Sequence, residues 1–430
     1  MYRMRPDVLI FRYRLVVFFC FTFLSSLFAQ KDTLRLTLPK VEKIFLDSNL
    51  QLLAQKYSID ATKALVIQAK LFPNPNIAYS RGLYSGSYHK YILLTDSENS
   101  VQVSQLILLA GKRNKQIKIA KANVALAEYQ FFDLLRTLKY SLRSTFFNVY
   151  YLRQSARVYS AEINALRQIV TAFNEQHGKG YISEREVIRI KAQLYSFQSE
   201  YNDLINQIND TESELKLLLL VKSNVYIDPI IDTAAVNKLD PFKYTLDTLL
   251  NSAYRNRTDL LIAKENTDIN KLTYNYQKAL AIPDLTLNAG YDQAGGFARN
   301  YYGIGASIDL PFFNRNQGNI KMAKAMIDNT IALQKNTEFT VSENVNRSLE
   351  KALAENKLFQ EMDPKFSNDF ERLMQEVVLH YMKRDIGILD FLDFYDSYKQ
   401  NVLQFNAIRY NRIQAFEDLN FYTATNFYNQ

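Results

Sequence analysis

Three histidines, one cysteine and two glycine-bearing segments are where chemistry could be expected in this chain. His89, His177 and His380 are far apart, with none of the short spacings of a zinc site. The methionines are scattered, so there is no soft-donor cluster for copper. Gly111-Lys112 resembles the end of a phosphate loop, but Leu106 stands where that loop needs its first glycine. Gly303-Ile304-Gly305 lacks the third glycine of a dinucleotide fingerprint. No Ser, His and Asp constellation can be argued. The residues point away from an enzyme and from any cofactor, and toward a role carried by surfaces.

Composition narrows those surfaces. The chain has 430 residues, 47% hydrophobic and 22% charged, too apolar for disorder. Twelve Gly and nine Pro are few, which favours long uninterrupted helices. The formal charge is +8, but Arg3, Arg5, Arg12 and Arg14 against Asp7 lie in the first 29 residues and leave about +5 for the rest. Lys and Arg are interspersed with Glu and Asp, which reads as solvated helix faces and not as a nucleic-acid surface.

Residues 1–29 read as a secretory signal peptide: a basic start, an apolar stretch from Leu15 to Leu24, and Leu27-Phe28-Ala29 as a cleavage site before Gln30. The apolar stretch is shorter than the roughly 20 residues of a spanning helix. Cys20 lies inside it, so cleavage leaves no thiol and no lipid anchor. Beyond the signal no apolar run predicts a membrane helix. A β-barrel, whose strands alternate, stays open.

The alternation is plainest between Pro283 and Gly318. Leu285, Leu287, Ala289 and Tyr291 interleave with Thr286, Asn288, Gly290 and Asp292. Tyr302, Ile304, Ala306, Ile308 and Leu310 interleave with Gly303, Gly305, Ser307 and Asp309. Period two predicts strands with one apolar and one polar face, joined by the glycine-bearing turn 293–300. Tyr291, Tyr301 and Tyr302 are expected as an aromatic girdle on the outer face. A first hairpin is expected at about 76–109, with Arg81 and Gln105 out of pattern.

Helices surround these hairpins. Leu38 to Phe72 reads as one helix, stopped by Pro73 and Pro75. From Asn114 to Gln176 neither Pro nor Gly intervenes, and those 63 residues would span about 95 Å as a helix, a length suited to coiled-coil packing. His177-Gly178-Lys179-Gly180 breaks it, and Ser183 with Glu186 forms a capping-box pattern for a return helix.

The pattern then repeats. At an offset of 208, Leu52, Leu53, Lys56, Asp60, Lys63 and Pro75 coincide with Leu260, Leu261, Lys264, Asp268, Lys271 and Pro283. At an offset of 203, residues 116–122 coincide with 319–325. At an offset of 204, Ile182 and Glu186 overlay Ile386 and Asp390. We expect a first repeat over 30–222, with a helical hairpin at about 113–222, then a linker at 223–241. The second repeat covers 242–430, with a β-hairpin at about 284–312 and a helical hairpin at about 318–428. Each is helix, β-hairpin, very long helix, tight turn, long helix. Four amphipathic strands cannot close a membrane barrel, so the chain is expected to oligomerise: two copies give eight strands, three give twelve. The small polar residues of one face suit an open lumen.

Leu71-Phe-Pro-Asn-Pro-Asn-Ile77, Leu280-Ala-Ile-Pro-Asp-Leu285, Leu310-Pro-Phe-Phe-Asn-Arg-Asn-Gln-Gly318 and Ile386-Gly-Ile-Leu-Asp-Phe-Leu-Asp393 occur in doubled order. In this the chain resembles the TolC family of outer-membrane factors, and within it the ducts of the CusC and CzcC type. The resemblance covers almost all of the chain after the signal. It implies a mainly α protein with membrane β: a homotrimer whose twelve-stranded barrel in the outer membrane continues into a periplasmic α-helical barrel. It implies a passive channel that meets a periplasmic adaptor (membrane fusion) protein and an inner-membrane pump of the RND type. Leu285, Leu287, Tyr291, Ile304, Ile308 and Leu310 would face lipid, and Gly303, Gly305, Ser307 and Asp309 the lumen. Gly178, Gly180 and Gly387 would form the periplasmic tip turns, and Asp390 and Asp393 would form acidic rings at the gate. The chain departs from the family at Arg384, which stands where the second tip turn commonly has glycine. The rival from another class is a soluble periplasmic coiled-coil scaffold.

Overall fold

The computed structural model describes residues 33–82, 84, 85, 90, 91, 99–294, 298–363 and 365–428. The expected signal peptide, Cys20, His89 and parts of both hairpin turns lie outside the described residues. The chain begins with β1 (Thr33–Thr37), α1 (Leu38–Ser48) and α2 (Leu50–Lys70). Sequence periodicity predicts one helix here, because the apolar spacing runs straight through the junction. Asn49 divides it: at ψ 114° its backbone leaves the helix, and its Oδ1 accepts from the amides of Gln51 (3.0 Å) and Leu52 (3.1 Å). Such a cap satisfies two amides that a helix start otherwise leaves unpaired.

Next come β2 (Asn76–Arg81), the short pair β3 (Tyr84–Ser85) and β4 (Lys90–Tyr91), and β5 (Asn99–Ile107). The long helix α3 (Lys112–Gly178) has 67 residues, about 100 Å of rise, and returns as α4 (Glu184–Leu219). Residues 223–241 carry β6 (Tyr226–Ile230), which pairs in parallel with β1, and the short helix α5 (Thr233–Asn237).

The second half repeats the order with α6 (Leu246–Asn256), α7 (Thr258–Leu280), β7 (Leu285–Asp292) and β8 (Tyr301–Ile308). The helix break recurs at Arg257, with φ −67° and ψ 118° against −66° and 114° at Asn49, its match in the first repeat. The continuous helix expected from about 318 does not form. It is split into α8 (Gln317–Glu361) and α9 (Phe366–Lys383) before the return helix α10 (Ile388–Thr423). Met362 is already extended at ψ 129°, and the Lys365 amide donates to Asp363 Oδ1 at 2.9 Å. The sequence has Pro364 there, which lacks the helical donor and disfavours helix in the residue before it.

Three apolar clusters hold the helices. One joins α1, α3, α4 and β6 through Phe45, Phe146, Phe147, Leu215 and Ile227. Its counterpart in the second half joins α6, α7, α8 and α10 through Leu249, Leu260, Val341, Val345 and Phe416. The third, toward the turn end, brings together both helical hairpins: Leu166 and Phe173, Ile190 and Phe197, Val377 and Tyr381, Phe391 and Tyr395. Seams of this kind are what the 3,4 spacing predicts.

Buried charges lock the halves to each other. Arg143 on α3 donates twice to Glu417 on α10, both at 2.6 Å, and once to Glu42 on α1 at 2.7 Å. Burial opposes its charge, but the two carboxylates outweigh burial and hold the guanidinium protonated. Arg412, only 2% exposed, has its charge disfavoured by burial and donates to Asn356 Oδ1 and to the carbonyls of Val236, Asn237 and Leu239. It thereby ties the connection between halves to α10.

Candidate functional site

Two regions carry the residues singled out above: the sheet at one end of the long helices and the turns at the other. The sheet is antiparallel throughout, in the order β2-β5-β7-β8, so each half contributes two strands. Its pairing sorts every side chain onto a face, because paired residues share a side and neighbours alternate. One face carries the rows Ile77-Val103-Ala289-Ile304, Tyr79-Val101-Tyr291-Tyr302, Gln105-Leu287-Ala306 and Ile107-Leu285-Ile308. The other carries Ala78-Gln102-Gly290-Gly303, Ser80-Ser100-Asp292-Tyr301, Asn76-Ser104-Asn288-Gly305 and Leu106-Thr286-Ser307. Ser80 and Ser100 hydroxyls meet across the polar face at 2.8 Å.

Leu285, Leu287, Tyr291, Ile304 and Ile308 therefore share one face, and Gly303, Gly305 and Ser307 share the other. Ile304 is 95% exposed in the single chain, so none of the described residues covers the apolar face there. Asp309 and Leu310 lie just past the end of β8, where pairing assigns no face. Gln105 does sit in the apolar face, with its amide turned back to the carbonyls of Pro73 (2.9 Å) and Leu106 (3.0 Å). Tyr301 corrects the expected girdle. As the strand neighbour of Tyr302 it must point the other way, opposite Asp292 on the polar face. A Cβ on Gly303 would come within 3.0 Å of the Tyr301 ring, so the glycine makes room for it. Tyr291 and Tyr302 do pair, with ring centroids 5.0 Å apart.

The two turns at the far end share one backbone. In the first, the Tyr181 amide donates to Gln176 O (2.9 Å) and the Gly180 amide to His177 O (2.8 Å). In the second, the Asp385 amide donates to His380 O (2.9 Å) and the Arg384 amide to Tyr381 O (3.0 Å). These are the same bonds at matching positions of the two repeats, and they satisfy carbonyls left over at the helix end. Gly180 has φ +75° and Arg384 φ +67°, so the arginine does occupy the left-handed position that favours glycine. Gly178 instead belongs to the end of α3, and Gly387 caps α10 in an extended conformation. Periodicity did not foresee the use made of Arg384: its Nη2 donates to the Tyr181 carbonyl and joins one turn to the other.

The return helices start differently. Ser183 and Glu186 close the expected capping box: the Ser183 amide donates to Glu186 Oε2 at 3.1 Å and the Glu186 amide to Ser183 Oγ at 3.4 Å. Asp390 holds the matching position in α10, but its cap is Gly387, with no side chain to engage. Asp390 and Asp393 are exposed, one helical turn apart, and make no hydrogen bond or ion pair among the described residues. His177 Nδ1 lies 2.9 Å from Ile182 O, and His380 Nδ1 lies 3.0 Å from Asp385 Oδ2. Among the described residues no three His, Cys, Asp or Glu are grouped to hold a metal, and no helix is long and apolar enough to cross a membrane.

Residues 43–219 match the family described as Outer membrane efflux protein. The cobalt-zinc-cadmium resistance protein CzcC of Cupriavidus metallidurans is 21% identical over 313 residues, 71% of this chain and 70% of CzcC. The outer membrane channel CmeC of Campylobacter jejuni superposes with a TM-score of 0.76 at 16% identity, over 90% of this chain and 85% of CmeC. CusC, described for its folding and transmembrane channel formation, superposes with a TM-score of 0.71 at 14% identity, over 90% of this chain and 91% of CusC. At these identities the solved structures establish the fold, and the sequence likeness to the family covers residues 43–219. The soluble-scaffold alternative is not favoured by them. The chain is thus similar to the outer membrane efflux proteins over residues 43–219 and shares the fold of solved outer-membrane channels of the TolC type.

Proposed function

We propose that this protein is the exit duct of a tripartite efflux system, conducting substrates passively across the periplasm and the outer membrane. The observation that carries the reading is the two-faced sheet. Its apolar face is not covered by any of the described residues, its other face is mostly small and polar, and β2 and β8 are its outer strands. Open strand edges do not survive in lipid, so β8 of one copy pairs with β2 of the next. Three copies make twelve strands. Leu285, Leu287, Tyr291, Ile304, Ile308 and Leu310 then face lipid, and Gly303, Gly305, Ser307 and Asp309 face water. Residues 1–29 direct export. The repeats 30–222 and 242–430 each supply one β-hairpin and one helical hairpin to the wall.

The long helices form the periplasmic tube. A periplasmic adaptor and an inner-membrane pump of the RND type engage its tip and supply the energy, in keeping with a channel family that is not an enzyme family. Three copies of Asp390 and Asp393 ring a narrow pore, where focused negative potential admits cations and hinders anions. Unheated electrophoresis, outer-membrane fractionation and planar-bilayer conductance test the reading together. A trimer in the outer-membrane fraction that conducts ions is expected. Recovery as a soluble periplasmic monomer would sink it.

A further inference from the structure

The end of the sheet that meets the helices holds an unusual concentration of cations. All four chain connections lie there, since Asn76 pairs with Ser104, Ile107 with Leu285, and Leu285 with Ile308. The connecting segments 70–75, 108–121, 277–285 and 309–324 contain ten Lys and Arg against two Asp, whereas the whole chain carries 52 against 44 acids. One of the two carboxylates is already engaged: Asp284 Oδ1 accepts from Lys112 Nζ at 2.7 Å and from the Leu109 amide at 2.9 Å. Lys70, Lys118, Lys121, Arg315, Lys321 and Lys324 are exposed, and none has a carboxylate partner among the described residues. All lie within about 14 Å of the helix ends that abut the sheet.

Large apolar side chains sit at the same level. Phe313 is 95% exposed, Phe72 71% and Phe312 68%. The Arg113 guanidinium lies 3.7 Å over the Phe72 ring, with Nη1 3.3 Å from Lys70 O, which keeps a cation beside the aromatic. Phenyl rings bordered by cations, at the edge of an apolar sheet face, match the boundary between acyl chains and charged headgroups. A helix face that merely met another protein would gain nothing from six unpaired like charges, which repel each other until anions neutralise them.

We propose that this junction is a collar that binds the anionic phosphate headgroups of the leaflet at the periplasmic side of the barrel, with Phe72, Phe312 and Phe313 in the acyl boundary and Lys70, Lys118, Arg315, Lys321 and Lys324 on the phosphates. The collar fixes the depth at which the sheet sits. It rests on the outer-membrane reading above and adds a lipid class to it. The test is native mass spectrometry of the detergent-purified full-length oligomer, titrated separately with phosphatidylglycerol and phosphatidylcholine.

Phosphatidylglycerol is expected to bind on the order of tenfold more tightly, and the preference should shrink as salt is raised on the unmodified protein. Replacing the five cations together by Gln should remove the preference with the oligomer intact. Equal binding of the two lipids overturns the proposal. So does a variant that dissociates yet keeps the preference, which would make the cations an interface between copies. Bilayer conductance separates the two readings. Conductance without lipid preference removes the collar and leaves the channel; lipid preference without conductance keeps the collar and removes the duct.

Discussion

The two tip turns have one backbone and different side chains. Both place a residue in the left-handed region and close the same pair of carbonyl bonds at matching positions of the two repeats. The first uses Gly180, followed by a closed capping box on Ser183 and Glu186. The second uses Arg384, followed by Gly387 and an unengaged Asp390. The first turn is built for stability. The second accepts backbone strain, puts a guanidinium on the Tyr181 carbonyl of its neighbour and leaves its carboxylates exposed. Helix packing fixes the turn, and the side chains are then available for different work.

The largest test of that comparison is in the packing beneath the turns. Phe391, at the position that matches Val187, stacks on Tyr381 with centroids 4.3 Å apart and is fully buried. Phe391→Ala should cost about 3–5 kcal/mol and Val187→Ala about 2, read as lowered unfolding temperature. Equal losses would mean that the second turn is not the more tightly packed.

Backbone strain comes next. Gly180→Ala meets no atom within 4 Å, so its cost of about 1–2 kcal/mol is conformational alone. Arg384→Gly relieves strain of that size but gives up the Tyr181 bond, so stability should move by less than about 1 kcal/mol. Resting conductance should rise if that bond helps hold the tip closed; unchanged conductance would break the functional half of the comparison. Ser183→Ala opens the first box and should cost about 1 kcal/mol, while Asp390→Asn with Asp393→Asn should leave stability within about 0.5 kcal/mol and lower cation selectivity. Selectivity that does not change would remove the acidic rings.

The smallest effect is in acid. Burial pushes the Glu200 carboxyl up, but Lys399 at 2.8 Å and the Tyr159 hydroxyl at 2.8 Å outweigh it and hold the pKa below the ordinary 4.5. A depressed carboxyl stabilises the fold fully above pH 4.5, and that contribution is lost as pH falls through the lower folded value. Glu200→Gln should therefore flatten the wild-type loss of thermal stability below pH 4.5, with little change in its slope at neutral pH. A variant with an undiminished acid-side loss would place that loss in other carboxylates.

Much of the architecture was legible from local pattern. Period two in β7 and β8 assigned faces to Leu285 through Ile308 because alternation is a property of the strand itself. The 3,4 seam and the Ser183–Glu186 spacing marked α3, α4 and their turn for the same reason. What pattern missed was set by neighbours or by single residues. The apolar seam continues through Asn49 and Arg257, so periodicity alone could not see those breaks. Pro364 was the available signal for the split between α8 and α9. Residue type groups Tyr301 with Tyr291 and Tyr302, whereas strand parity puts it on the opposite face. Arg143 and Arg412 are charged residues within packed helices, and their partners lie on other elements, far away in sequence.

The sequence by itself determined the alternation of hairpins and long helices, its doubling and the two faces of the better hairpin, because each depends on residues within a few positions. Tertiary structure alone decided that the hairpins join as β2-β5-β7-β8, since the whole first helical hairpin separates β5 from β7 and no local term selects that pairing. It alone put Arg384 within reach of Tyr181. That contact exists because two repeats with the same turn are packed side by side, a consequence of the buried cluster around Phe391.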